Sequence, residues 1–274
     1  MPRSDNVEDR RGKGGAVIGG GLGVLVLIVI AVVFGADPRE ILQIVSQSEP
    51  SSRVSERSPP PAGDETAQFV SAILGSTEEV WNDLFAERGA EYREPDLVLF
   101  DDAVRSACGF QSAATGPFYC PPDQQLYLDL GFFRELARMG GSGDFAAAYV
   151  IGHEVGHHVQ NLAGKTAEVR EAQRRRPDAA NELSVHLELQ ADCYAGVWAA
   201  RADRERSILE PGDVEEGLDA AAAIGDDRLQ RRAGRAVRPE SFTHGSSEQR
   251  RRWLSRGLET GDPEACDTFA EGTL

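Results

Sequence analysis

The sequence predicts an α+β fold dominated by helices, with a small β-sheet, preceded by one transmembrane helix. Three observations predict it. Residues 14–36 are uncharged and rich in Val, Leu and Ile. Two stretches, Asp144 to Gly164 and Asp178 to Ala202, run without proline and with helical character. Two short apolar runs, Leu97 to Phe100 and Gln125 to Leu130, read as strands.

The elements follow in chain order. Residues 1–13 are short and polar, with Arg3, Arg10, Arg11 and Lys13. Residues 14–36 reach the roughly 20 residues that a helix needs to span a bilayer. The basic flank predicts a cytoplasmic N-terminus, so everything after Asp37 is expected outside the cytoplasm, on a single-pass protein of the cell membrane. Gly15, Gly19 and Gly23 form overlapping G-x-x-x-G steps, which would allow a homodimer through the membrane helix. Residues 37–64 form a Ser/Pro-rich linker after a short juxtamembrane helix at Asp37 to Val45. Residues 65–274 are long enough for one domain with a sizeable core.

Within that domain, Thr66 to Glu87 is a predicted helix whose apolar stripe includes Phe69, Ile73, Val80, Trp81 and Leu84. Ser106 to Pro122 carries Gly109, Gly116, Pro117, Pro121 and Pro122 and is predicted as a loop. The Gln125 to Leu130 strand precedes the central helix, where a free edge would suit an extended peptide. Phe132 to Arg138 is helical, and Gly140 to Gly143 breaks it.

Charge and cysteines bound the function. Lys and Arg total 29 against 45 Asp and Glu, a net charge of −16, which argues against a nucleic-acid partner. The four cysteines show no C-x-x-C metal spacing. Outside the cytoplasm, Cys108–Cys120 would clip the loop between them and Cys193–Cys266 would pin the C-terminal tail; four buried thiols are the alternative.

The chemistry concentrates at His153-Glu154-Val155-Gly156-His157. Helical residues four apart share a face, so both histidines can offer a ring nitrogen to one metal ion. Glu154 lies about 100° around the helix from His153, beside such a metal, where a carboxylate can take a proton from water. Ile151, Val155, Val159 and Leu162 supply the opposite, apolar side. A catalytic zinc needs a third protein ligand. The extended pattern H-E-x-x-H-x-x-G-x-x-H is absent, because Gln160 and Ala163 stand at its last two fixed positions. Glu188 is the expected third ligand, with Glu182 as the fallback. Asp192, four residues on from Glu188, is expected to accept the free ring N–H of a metal-bound histidine. His158 and His186 are expected to be structural. His244, in a loop, and Arg250, on the helix after it, are candidates to donate hydrogen bonds to a developing oxyanion.

The chain resembles the neutral zinc metallopeptidases of bacteria, single-pass membrane proteins with an extracytoplasmic zincin domain. The resemblance runs over nearly the full length: NVEDRRG from Asn6, SACGF from Ser106, ATGPFYCP from Ala114, YVIGHEVGHHVQN from Tyr149, LELQADCYAGVW from Leu187, AAAIGDDRLQ from Ala221, SFTHG from Ser241 and GDPEACDTFA from Gly261. More distantly it is similar to the Glu-zincins, including thermolysin and membrane peptidases with a T-H-P-x-x-x-x-R element; the proline of that element is Gly245 here. The resemblance implies a zincin-like metallopeptidase domain with one Zn²⁺ per chain held by His153, His157 and Glu188. It implies Glu154 as general base, with His244 and Arg250 at the active site, and a protein or peptide substrate. The alternative is a zinc-stabilised binding or chaperone-like module whose peptidase activity is absent or gated.

Overall fold

The computed structural model describes residues 2–12, 58–270 and 272. The expected membrane helix, juxtamembrane helix and glycine steps lie outside them. Among the described residues no helix is long and apolar enough to cross a membrane. They form a helix-dominated α+β fold with two small sheets.

Strand β1 (Val7–Asp9) comes first, followed by helix α1 (Glu65–Ala86). Asp64 caps α1 by accepting the N–H of Ala67. The buried stripe Val70, Ile73, Leu74, Trp81 and Leu84 faces the core. Strands β2 (Asp96–Leu99) and β6 (Gln125–Leu128) pair in parallel in the middle of a four-stranded sheet ordered β1-β2-β6-β5. Strand β5 (Phe118–Cys120) is antiparallel to β6 and forms one edge. Strands β3 (Ala103–Ser106) and β4 (Gly109–Ser112) make a separate hairpin.

Two expectations change here. The Ser106 to Pro122 stretch holds β4 and β5 as well as turns, and Cys108–Cys120 ties the hairpin to the sheet edge. The strand expected to offer its edge, β6, is interior; among the described residues the edge strands are β1 and β5, and β5 is the one beside β6.

The N-terminal residues also differ from expectation. They are part of the domain, not a separate tail. Val7 pairs with Leu97 and Asp9 with Leu99. The N–H of Leu97 donates to Asn6 O, and that of Arg10 to Leu99 O, at 2.8 and 2.9 Å. Gly75 of α1 leaves room for the segment: a Cβ there would lie 2.8 Å from Pro2 O and 2.9 Å from Ser4 N. Arg10 pairs with Glu8, and Arg11 with Asp9 and Asp64, so two of the basic residues expected at a membrane surface meet carboxylates of the fold. Residues hydrogen-bonded into a sheet share its side of any bilayer. The expected boundary between a tail at residues 1–13 and a domain at residues 65–274 is thus bridged by the pairing of β1 with β2.

The helical layer follows: α2 (Gly131–Arg138), α3 (Asp144–Leu162), α4 (Lys165–Arg175), α5 (Ala180–Arg206), α6 (Asp213–Ala223), α7 (Asp226–Arg232) and α8 (Ser247–Thr260). Small residues let the central helices meet closely. A Cβ on Gly156 of α3 would stand 2.9 Å from Ala191 O of α5, and one on Gly257 of α8 would collide with Cys193 O. Phe145 stacks on Trp198 beneath the crossing, and Cys193–Cys266 fastens the C-terminal 3-10 turn Pro263–Cys266 to α5.

Candidate metal centre

Helix α3 presents His153 and His157 toward α5, which supplies Glu188. His153 Nε2 is 3.2 Å from one Glu188 oxygen and His157 Nε2 3.4 Å from the other. One ligand atom from each residue lies within 4.8 Å of the others. The helix crossing at Gly156 and Ala191 creates this proximity, because His157 follows the glycine and Glu188 precedes the alanine by less than a turn. Glu182 is exposed and lines a different pocket with Asp178 and Gln249, so it is no ligand here.

The surroundings of His153 are charged and largely buried. Its Nδ1 meets Asp192 Oδ1 at 2.7 Å. The Tyr149 hydroxyl donates to that oxygen at 2.6 Å, and Arg250 grips both carboxylate oxygens at 2.8 and 2.9 Å. Burial disfavours the charge on Asp192, but Arg250 and His153 outweigh it and hold the carboxyl down at about 2. Burial likewise opposes a charge on His153, yet Asp192 and Glu188 push it up to about 10. His157 is raised by Glu188 against the same burial, and Glu188 is held well below its ordinary range by the two rings despite burial. The pocket is therefore built around positive charge. Two imidazole nitrogens and a carboxylate are also the donor set that zinc takes, so these residues fit the metal.

Glu154 lines the same cleft, half-buried. The cleft encloses about 580 Å³; Phe118 and Tyr119 of β5 stand along it, with Phe132, Val150 and Ile224 among its apolar lining. His244 reaches it too, half-exposed, with Nδ1 3.3 Å from Asp226 Oδ1 and 3.0 Å from the Thr243 hydroxyl. The Asp226 carboxylate raises His244 above its ordinary value. Asp226 also accepts the backbone N–H groups of Thr243, His244 and Gly245, which fixes the loop. Gly245 sits at φ +91°, a region closed to proline, so this loop differs in backbone from a T-H-P turn.

Arg250 lines the same cleft. Its side chain is 2% exposed and committed to Asp192 and the Tyr149 hydroxyl, so its part is to hold Asp192. The expected structural histidines are so placed. His158 Nε2 donates to Arg93 O and its Nδ1 meets the Tyr119 hydroxyl; burial pushes it down to about 4. His186 bonds Thr268 O and stacks on Phe269. Tyr149, Gln160 and Asp226 belong to the site and were not singled out from the sequence. Tyr149 stands four residues before His153, a helical spacing that would have flagged it.

Comparison with known proteins agrees with this geometry. Residues 1–269 match the family described as "Putative neutral zinc metallopeptidase". The "Uncharacterized protein YpfJ" of Escherichia coli (strain K12) is 45% identical over 278 residues, covering 98% of this chain and 96% of that protein. The "Uncharacterized protein Rv2575" of Mycobacterium tuberculosis (strain ATCC 25618 / H37Rv) is 44% identical over 216 residues, covering 75% and 71%. No solved structure matches the chain. A match of this extent, over a fold that gathers His153, His157 and Glu188 at one point, means that the chain belongs to the neutral zinc metallopeptidase family.

Proposed function

We propose that this protein is a zinc-dependent peptidase with a zincin-like domain, in contact with a membrane through residues 14–36, its site outside the cytoplasm. The observation that carries the reading is the convergence of His153, His157 and Glu188 in a cleft that also holds Glu154. A zinc ion there would polarise a scissile carbonyl and lower the pKa of water toward about 7. The protein's own groups divide the remaining work. Glu154 takes the proton of the attacking water and delivers it to the leaving amine, a contribution of about 10²–10⁴-fold for such steps. His244, raised by Asp226, donates to the developing oxyanion. The open edge of β5 beside the cleft supports an extended peptide as substrate by strand addition. The two disulfides support an oxidising compartment.

The test is zinc content and cleavage of casein or a peptide library by the full chain in detergent. The full chain is needed because Val7–Asp9 belong to the sheet. One zinc per chain in wild type and Glu154→Gln, with cleavage in wild type alone, is the expected result. Cleavage by Glu154→Gln at the wild-type rate would refute the assignment of the base. Zinc in both with cleavage in neither would favour a binding module.

A further inference from the structure

His153 and His157 are oriented by different chemistry. His153 leans on the charged Asp192, whereas His157 Nδ1 meets a neutral amide, Gln160 Oε1, at 2.9 Å. Gln160 is 1% exposed. Its Nε2 donates to Leu187 O at 2.8 Å and to Gln190 Oε1 at 3.1 Å. Gln190, 6% exposed, donates in turn to Cys266 O at 3.0 Å. Cys266 is fastened to α5 by its disulfide with Cys193.

The direction of this chain of amides is forced. A backbone carbonyl only accepts, so Leu187 O and Cys266 O fix which end of each glutamine carries the N–H groups. Both N–H bonds of Gln160 are then used, and only its oxygen faces His157. An oxygen there accepts, so the ring must carry its proton on Nδ1, which leaves the Nε2 lone pair toward Glu188 and the metal position. Turning the Gln160 amide over would set its oxygen against Leu187 O and its N–H groups against the Nδ1 proton.

We propose that Gln160, backed by Gln190, is a positioning residue that locks His157 in its metal-binding tautomer, with the Cys193–Cys266 clamp as the anchor of the relay. The proposal rests on the zinc reading above and extends it to residues outside the ligand set. An uncharged relay orients the second ring without placing another buried carboxylate beside Glu188, where like charge would be costly.

The experiment measures zinc affinity by chelator competition for the full chain as wild type, Gln160→Met and Gln160→Glu, with thermal unfolding of each metal-free form. Gln160→Met keeps the volume and removes the acceptor; it is expected to weaken zinc binding about 10–100-fold. Gln160→Glu, its carboxyl kept neutral by burial beside Glu188 with the O–H donated to Leu187 O, keeps an oxygen facing Nδ1 and is expected to recover much of that loss. Wild-type affinity in Gln160→Met to within about threefold, or equal loss in both variants, would overturn the relay while leaving the zinc site standing. Absence of zinc from the wild type would overturn the site reading and the relay together. Should Gln160→Met fail to fold, ¹⁵N-histidine NMR of the metal-free wild type, at a pH where the His157 ring is neutral, decides independently. A proton on His157 Nδ1 is expected, and a proton on Nε2 would overturn the proposal.

Discussion

Replacing Arg250 by methionine isolates a buried ion pair, Arg250 with Asp192. The guanidinium makes two charge-assisted bonds to Asp192, Nε to Oδ2 at 2.8 Å and Nη2 to Oδ1 at 2.9 Å, with the two side chains 2% and 0% exposed. Methionine fills most of the volume, so lost packing is the smaller effect. The larger effect is a carboxylate left buried without its counter-charge, which costs about 3–5 kcal/mol when one partner of a buried pair is removed. Asp192 would keep only the Tyr149 hydroxyl and His153. Replacing Asp192 by asparagine in the same chain removes the unpaired charge, so the double variant should be more stable than the two single losses predict, by up to about 3 kcal/mol. The assay is urea unfolding of the metal-free protein at neutral pH, so that zinc binding does not enter the cycle. An Arg250→Met loss below about 1 kcal/mol, or single losses that add within about 0.5 kcal/mol, would refute the reasoning.

Three further outcomes are expected. Gly75→Ala should destabilise, because its Cβ would press on Pro2 O and Ser4 N, although alanine normally stabilises a helix interior by about 1 kcal/mol; limited proteolysis should then cut near residues 2–12, and a stabilised, resistant variant would count against the docked strand. Gly156→Ala should cost about 1–3 kcal/mol by unfolding and weaken zinc binding, since a Cβ 2.9 Å from Ala191 O spreads the two helices that carry the ligands; an unchanged zinc affinity would show that the crossing tolerates the spread. Burial raises the Glu78 carboxyl against bonds donated by Asn6 and Ser4, so the folded state holds that proton more tightly than the unfolded chain. The penalty is absent below the ordinary carboxylate range and grows as pH rises through the raised folded value, so Glu78→Gln should stabilise at neutral pH and have little effect in acid; an equal effect at both would refute it.

What the sequence made legible was local. His153 and His157, and Glu188 and Asp192, are each four apart, and a helix turns that spacing directly into a shared face. The cysteine pairs could be reasoned from the loop between Cys108 and Cys120, and both formed. What stayed hidden depended on distant partners. Strand β1 is three residues long and finds β2 across 90 positions, so no periodicity announces it. Strands β3, β4 and β5 are of three or four residues among glycines and prolines. Arg250 looked like a surface or transition-state charge because its burial depends on α8 pressing against α5, where Gly196 and Gly257 allow backbone approach. The Gln160 relay carries no sequence signature at all, since an amide reveals its direction only through the carbonyls around it.

Strand β1 finally sets a rule of parity. Gly12, whose N–H donates to Asp101, and Ser58, whose carbonyl accepts from Asp9, both sit against the same sheet. A chain that departs from and returns to one side of a bilayer crosses it an even number of times or not at all. A tag ahead of Val7 and a tag after Thr268 are therefore expected to report the same compartment.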